Sequence, residues 1–167
     1  MREPRASRPH MPGYGIAGPE EGTGLLPWSW ADERLRRSHD YWVATVRPEA
    51  RPHLMPVWGV WHEASLWFSS GKRSRKAKNL ASNLHCAVST DDAYEPVVVE
   101  GVVELIVDRA AISNFASLVH DKYSVNYGAD FYNPAVNCTF RLRPTSVFGL
   151  TEDDFAGSPT RWSFDDG

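Results

Sequence analysis

The stretch "LWFSSGKRSRKAKNL", residues 66–80, joins an apolar run to a basic one across a single glycine, Gly71. Its first part, "LWFSS" (66–70), is rich in β-formers and reads as a strand. Beyond the glycine, Ser74 can cap a helix over Ser74–Asn83, with Ala77, Leu80 and Ala81 on one apolar face. Five of the ten residues 71–80 are basic: Lys72, Arg73, Arg75, Lys76 and Lys78. Such charge has three uses: a solvated helix face, a nucleic-acid patch, or a cradle for a phosphate. The start of a helix has unpaired amides and the positive end of the dipole, so cations there are misplaced unless an anion joins them. Ser69, Ser70 and Ser74 add hydroxyl donors, and Lys72, Arg75, Lys76 and Lys78 add charge.

The rest of the chain sharpens that choice. The net charge is -3, so the sequence outside this +5 segment sums to -8. Binding to nucleic acid usually needs a broad basic surface, whereas this patch is local and suits a small anion. Aromatic residues beside the basic run keep a single-strand-binding barrel as a weaker reading. The length of 167 residues suggests one domain. No apolar run is long enough for a transmembrane helix. Arg2, Arg5 and Arg8 are not followed by an apolar stretch, which argues against a secretory signal. Cys86 and Cys138 lack metal-ligand spacing and read as free thiols of a reducing compartment, so a cytoplasmic protein is expected. The six histidines form no metal-ligand pattern, and no metal site is expected.

Working outward, "HLMPVWGVW" (53–61) reads as the hairpin partner of 66–70 across "HEAS". Pro56 and Gly59 inside it suggest an edge, a bulge or close approach of a ligand to the backbone. Further strands are read at 41–46, 85–90 and 97–107, and "VNCTFRLRPTSVFGL" supplies the last ones. "SWADERLRRS" reads as a short helix capped by Ser29, with Asp32 completing a capping box. "DRAAISNFASLVHDKY" is the clearest helix, capped by Asp108. "YGADFYNP" reads as a loop. Residues 1–27, rich in Pro, Gly and Arg, read as an irregular arm before a single domain over 28–167. Short hairpins without long crossovers predict a mainly β (α+β) chain: a split antiparallel β-barrel of about six strands with short peripheral helices.

In order, "RPHLMPVWGVW", "LWFSSGKRSRKAKNL", "PVVVEGVVEL" and "SVFGL" resemble the pyridoxamine 5'-phosphate oxidase-like split β-barrel superfamily. More narrowly they resemble its branch that uses the deazaflavin coenzyme F420. The resemblance covers about residues 28–152 and implies a homodimer with a flavin or deazaflavin in a groove at the subunit interface. It makes Ser69, Ser70, Lys72, Arg75, Lys76, Lys78 and Asn79 candidates for the cofactor's phosphate. It sets Leu54, Met55, Pro56, Val57, Trp58 and Gly59 beside the cofactor ring. The C-terminal Arg and His pattern of the pyridoxamine phosphate oxidases proper is absent, and the tail reads "SPTRWSF" instead. Arg161 and Trp162 could fold over the partner's cofactor, or the tail could strap the barrel surface.

Two single residues stand out. His53 beside the candidate strand could donate a proton or be a plain surface histidine. Glu100 in an apolar strand implies a partner, because a buried carboxylate is costly alone. The resulting reading is a cytoplasmic, dimeric oxidoreductase moving hydride between F420 and a small conjugated organic substrate. FMN on the same fold and a non-catalytic flavin- or deazaflavin-binding protein are the alternatives.

Overall fold

The computed structural model describes residues 3–164, without the side chains of 129 and 130. The ends of the expected arm and tail, 1–2 and 165–167, lie outside the described residues. In chain order the elements are β1 (Arg5–Ser7), α1 (Trp28–Arg37), β2 (Asp40–Val46), β3 (Pro52–His62), β4 (Ser65–Gly71) and α2 (Arg75–Ser82). There follow β5 (His85–Thr90), β6 (Val97–Ile106), α3 (Arg109–Tyr123), a 3-10 turn (Ala129–Tyr132), β7 (Asn137–Gly149), a second 3-10 turn (Glu152–Asp154) and β8 (Thr160–Ser163). The strand order is β1-β8-β7-β4-β3-β2-β5-β6, and β6 pairs back onto β7. Strands β2 to β7 thus close a six-stranded barrel, with every pairing antiparallel. β8 and β1 extend it alongside β7.

Period-two alternation builds the barrel core. Tyr41 and Val43 on β2, Leu66 and Phe68 on β4, and Val97 and Val99 on β6 are fully buried inside it. Their odd-even neighbours face outward. There α3 covers part of the wall, burying Val60, Trp67, Ile112, Phe115 and Val119 in a second apolar cluster. Helix α2 closes one mouth of the barrel, with Ala77 and Leu80 in the inner core.

Local signals set the helix starts. Ser74 accepts the Ala77 amide at 3.1 Å, and Asp108 accepts that of Ala111 at 2.7 Å, as the caps predicted. The expected Ser29 cap is different. α1 begins at Trp28 with Pro27 in the cap position, which puts Ser29 inside the first turn. Asp32 serves no capping box; it accepts the Trp61 indole N–H at 2.7 Å and pairs with Arg36.

Two further expectations change. Glu100 is exposed and accepts the Ser146 hydroxyl at 3.1 Å, so it carries no burial cost. It sits at a bulge whose next residue, Gly101, is obligatory: a Cβ there would lie 2.1 Å from the Arg143 carbonyl oxygen. The N-terminal arm is held against the barrel. β1 pairs β8, and Arg8 donates to the carbonyls of Pro159 (2.7 Å), Gly157 (2.8 Å) and Gly18 (2.9 Å). These long-range bonds give a low-hydrophobicity segment the partners its own sequence lacks.

Candidate functional site

The barrel is split between β3 and β4. β4 pairs β3 only from Gly59 to His62, then continues along β7 alone. β3 from Pro52 to Trp58 pairs β2 on one edge, and among the described residues no strand occupies the other. Beside the split lies a cleft of about 260 Å³ lined on one wall by Pro56, Val57, Trp58, Ser69 and Lys76. The opposite wall comes from α3 and the loop after it, through Phe115, Val119, Tyr127, Phe131 and Tyr132. The strand and the basic helix start, 20 residues apart in places, therefore meet at one cavity.

Lys76 is the cation of this cleft. It is only 7% exposed, yet it makes no ion pair or side-chain hydrogen bond among the described residues. Burial draws its ammonium pKa below the ordinary lysine value. His53, half-buried, is likewise pushed down, first by burial and then by the charges of Lys76, Arg47 and Arg75. The charges of all three cations are therefore felt at one imidazole. The Arg47 Nε is also buried without an acceptor. Arg47, at the end of β2, escaped the sequence reading because its "RP" context signals only a turn. The lowered pKa of His53 disfavours the charged imidazole; its Nδ1 lies 3.4 Å from the Thr45 hydroxyl.

The other candidates divide. Ser69 lines the cleft, whereas the Ser70 hydroxyl is bonded to that of Ser74 at 2.8 Å. Lys72, Arg75 and Lys78 are exposed around the helix start. Asn79 is fully buried and donates to Thr45 at 2.9 Å, so it ties α2 to the barrel, while its Oδ1 finds no donor among the described residues. Along β3, Pro56, Val57 and Trp58 all line the cleft, Val57 from the opposite parity to its neighbours, and Leu54 lines a separate apolar trough over β2 and β5. Met55 and Gly59 share the parity of Val57.

Gly59 marks the handover between partners. Its N–H donates to the Tyr123 hydroxyl at 2.9 Å, and its carbonyl accepts from Lys122 at 2.8 Å. Tyr123 also stacks on Trp58, with ring centres 4.5 Å apart and 7° between planes. α3 therefore holds Trp58 in place. Neither Lys122 nor Tyr123 was signalled by the sequence, because their targets are backbone groups 63 and 64 residues away.

Arg161 and Trp162 lie elsewhere. Trp162 pairs with Val147 and Gly71 with Asn137, ten residues apart along β7, or about 33 Å of strand. Trp162 is fully buried against Trp28 and Trp30, so it is a packing residue and cannot fold over a ligand; Arg161 is exposed beside it.

The family model described as pyridoxamine 5'-phosphate oxidase matches residues 31–150. The chain belongs to this family. The match runs from α1 through β7, so the cleft lies within the family's common region, while β1, β8, Arg161 and Trp162 lie outside it. Solved structures with the same fold include the conserved hypothetical protein Rv2991 from Mycobacterium tuberculosis. It has TM-score 0.67 and 18% identity, over 77% of this chain and 87% of that one. An F420 reductase superposes with TM-score 0.57 and 26% identity, over 70% and 94%. A pyridoxamine 5'-phosphate oxidase-type protein from Listeria innocua has TM-score 0.60 and 16% identity, over 71% and 93%. No curated protein matches the chain in sequence. No described helix is long and apolar enough to cross a membrane.

Proposed function

We propose that this family member is an oxidoreductase that moves hydride between coenzyme F420 and a small conjugated organic substrate. The observation that carries the reading is Lys76: a largely buried cation, without a partner among the described residues, in a cleft beside the open edge of β3 and walled by aromatic rings. A desolvated charge without a partner is destabilising unless a ligand supplies the counter-charge. The likeness to an F420 reductase supports the deazaflavin in particular.

The residues fit a phosphorylated, flat cofactor. Lys76, with Arg47 and Arg75 beside it, would hold the phosphate at the start of α2. The open edge of β3 over Leu54–Trp58 offers backbone groups that a ring edge can use, as strand edges do. When bound, the deazaflavin would supply a ring carbon able to give or take hydride. Trp58, held by Tyr123, and the rings of Tyr127 and Phe131 would exclude water and orient flat molecules. His53, whose protonation is disfavoured first by burial and then by the neighbouring cations, would serve as a hydrogen-bond partner.

The trough beside the site supports a homodimer. Trp42, Ala44, Leu54, Ala87 and Val98 leave an apolar face, with Trp42 43% and Leu54 56% exposed. A two-fold partner would cover it. Sedimentation at micromolar concentration should give a dimer that Leu54→Asp dissociates; a monomer that still binds cofactor would end this part of the reading.

Titration of the purified protein with F420 and, separately, with FMN tests the cofactor. Tighter binding of F420 is expected. Equal or stronger FMN binding would move the assignment to a flavin enzyme of the same fold. Tight F420 binding with no oxidation of the reduced form by any conjugated acceptor would leave a carrier protein.

A further inference from the structure

A second cavity adjoins the cleft and has no part in holding a phosphate or ring. It measures about 610 Å³ and lies between one face of α3 and the loop after it. Arg109, Ile112, Ser113 and Ala116 supply the helical wall at the i, i+3, i+4, i+7 spacing of a single face. Tyr127 and Tyr132 line both this cavity and the cleft, so the two share a wall of aromatic rings.

Its charge is one-sided. Arg109 is the one charged residue among the described residues that line it. Arg109 makes no ion pair among the described residues, unlike Arg34, Arg36, Arg37, Arg141 and Arg143. It occupies the first position of α3, where the helix dipole disfavours a cation. The neighbouring carboxylate, Asp108, is engaged in capping the Ala111 amide at 2.7 Å. Apolar and aromatic walls with one unpaired guanidinium at the side suit a flat molecule that ends in a carboxylate.

We infer that this cavity is a substrate compartment for planar aromatic or conjugated carboxylates, with Arg109 gripping the carboxylate and Tyr127 and Tyr132 flanking the ring system. As a substrate site it rests on the proposed function, because it sets the conjugated body of the molecule next to the cleft; as a binding site it stands on the cavity alone. Arg109 is a specificity residue here. Its guanidinium would discriminate anionic from neutral substrates and take no part in hydride movement.

The test uses 2-naphthoate and its neutral counterpart 2-naphthamide, titrated by fluorescence into the full chain without cofactor. Naphthoate should bind about tenfold more tightly than the amide, the range of one charge-assisted contact. Arg109→Gln should remove that preference, and Arg109→Lys should keep part of it. Ala116→Phe, which fills the cavity, should abolish binding of both probes. F420 titration of the Arg109 variants should be unchanged. Absence of naphthoate binding at millimolar concentration, equal binding of acid and amide, or naphthoate binding indifferent to both Arg109→Gln and Ala116→Phe would each overturn the inference. Arg109 is exposed and its variants should fold, so the outcome does not depend on the filled-cavity protein. Loss of F420 binding by the unmodified chain, with the naphthoate preference intact, would instead strike the proposed cofactor and leave the compartment standing.

Discussion

At the β1–β8 end of the barrel, Arg8 spends its guanidinium on the carbonyls of Pro159, Gly157 and Gly18, and Trp162 is enclosed by Trp28 and Trp30. At the α2 end the same residue types are treated differently. Among the described residues the buried Arg47 Nε finds no acceptor and the largely buried Lys76 makes no ion pair, and Trp58 is 40% exposed beside a cleft. Among the described residues one end is closed by packing, although the buried Trp162 indole N–H there finds no acceptor; the other end leaves its open valences beside a cleft. Saturated polar groups and enclosed rings stabilise the fold; unsatisfied ones next to a cavity are costs that a ligand can remove. The distinction separates two tryptophan- and arginine-bearing regions that composition treats as alike.

Four measurements can break or sharpen this contrast. The largest effect should be at the packed β1–β8 end. Trp162→Ala empties a fully buried site and should lower unfolding free energy by about 3–5 kcal/mol in urea titration, with the cofactor affinity of the folded fraction unchanged. A matching loss of affinity would erase the division between the ends.

Lys76→Ala should show the reverse pattern. F420 affinity should fall by roughly 10- to 150-fold, the equivalent of about 1.5–3 kcal/mol, while stability holds or rises because a desolvated charge is gone. The loss should shrink for an analogue without the phosphate. An unchanged titration curve would return the segment 71–80 to a solvated helix face.

Arg75→Ala should weaken binding less, by about fivefold at most, because this side chain is exposed and its charge is screened. Glu33→Ala, whose exposed carboxylate pairs with Arg37 on α1, is the comparison and should leave affinity unaltered and stability within about 0.5 kcal/mol. An Arg75 effect as large as that of Lys76 would mean that burial is not what distinguishes them.

The smallest effect concerns acid. Asp154 accepts the Thr23 amide at 2.8 Å and that of Gly157 at 2.9 Å, and these bonds hold its pKa below the ordinary aspartate value, with Arg8 helping. The folded state therefore binds that proton more weakly than the unfolded chain. The stabilisation is complete above the ordinary aspartate pKa and is lost as pH falls through the lowered one. Unfolding curves across this window should show a shallower acid loss for Asp154→Asn; an identical slope would mean that these bonds do not stabilise the β1–β8 end.

Much of the fold could be read along the chain because its signals are local. Alternation placed the strands, Ser74 and Asp108 announced their helices, and the hairpin at 62–65 followed from its turn. Ser29 misled because Pro27, with its backbone angle already set, starts α1 before the serine is reached. Glu100 misled because the apolar run around it suggested burial on both faces, whereas alternation with the buried Val97, Val99 and Val103 turns it outward.

The site was legible only in part. The sequence alone marked a concentrated cationic helix start next to a Pro- and Gly-bearing strand, since residue type, spacing and capping are properties of neighbours in the chain. Which of those residues matter was decided by tertiary structure. Lys76 is buried at the cleft while Arg75 and Lys78 remain in water, and Asn79 turns inward to Thr45. Tyr123 and Tyr127 joined the candidate site, and Trp162 was drawn into the core, through contacts between distant segments. Burial and the absence of a partner are relations across the fold. No window of sequence contains them.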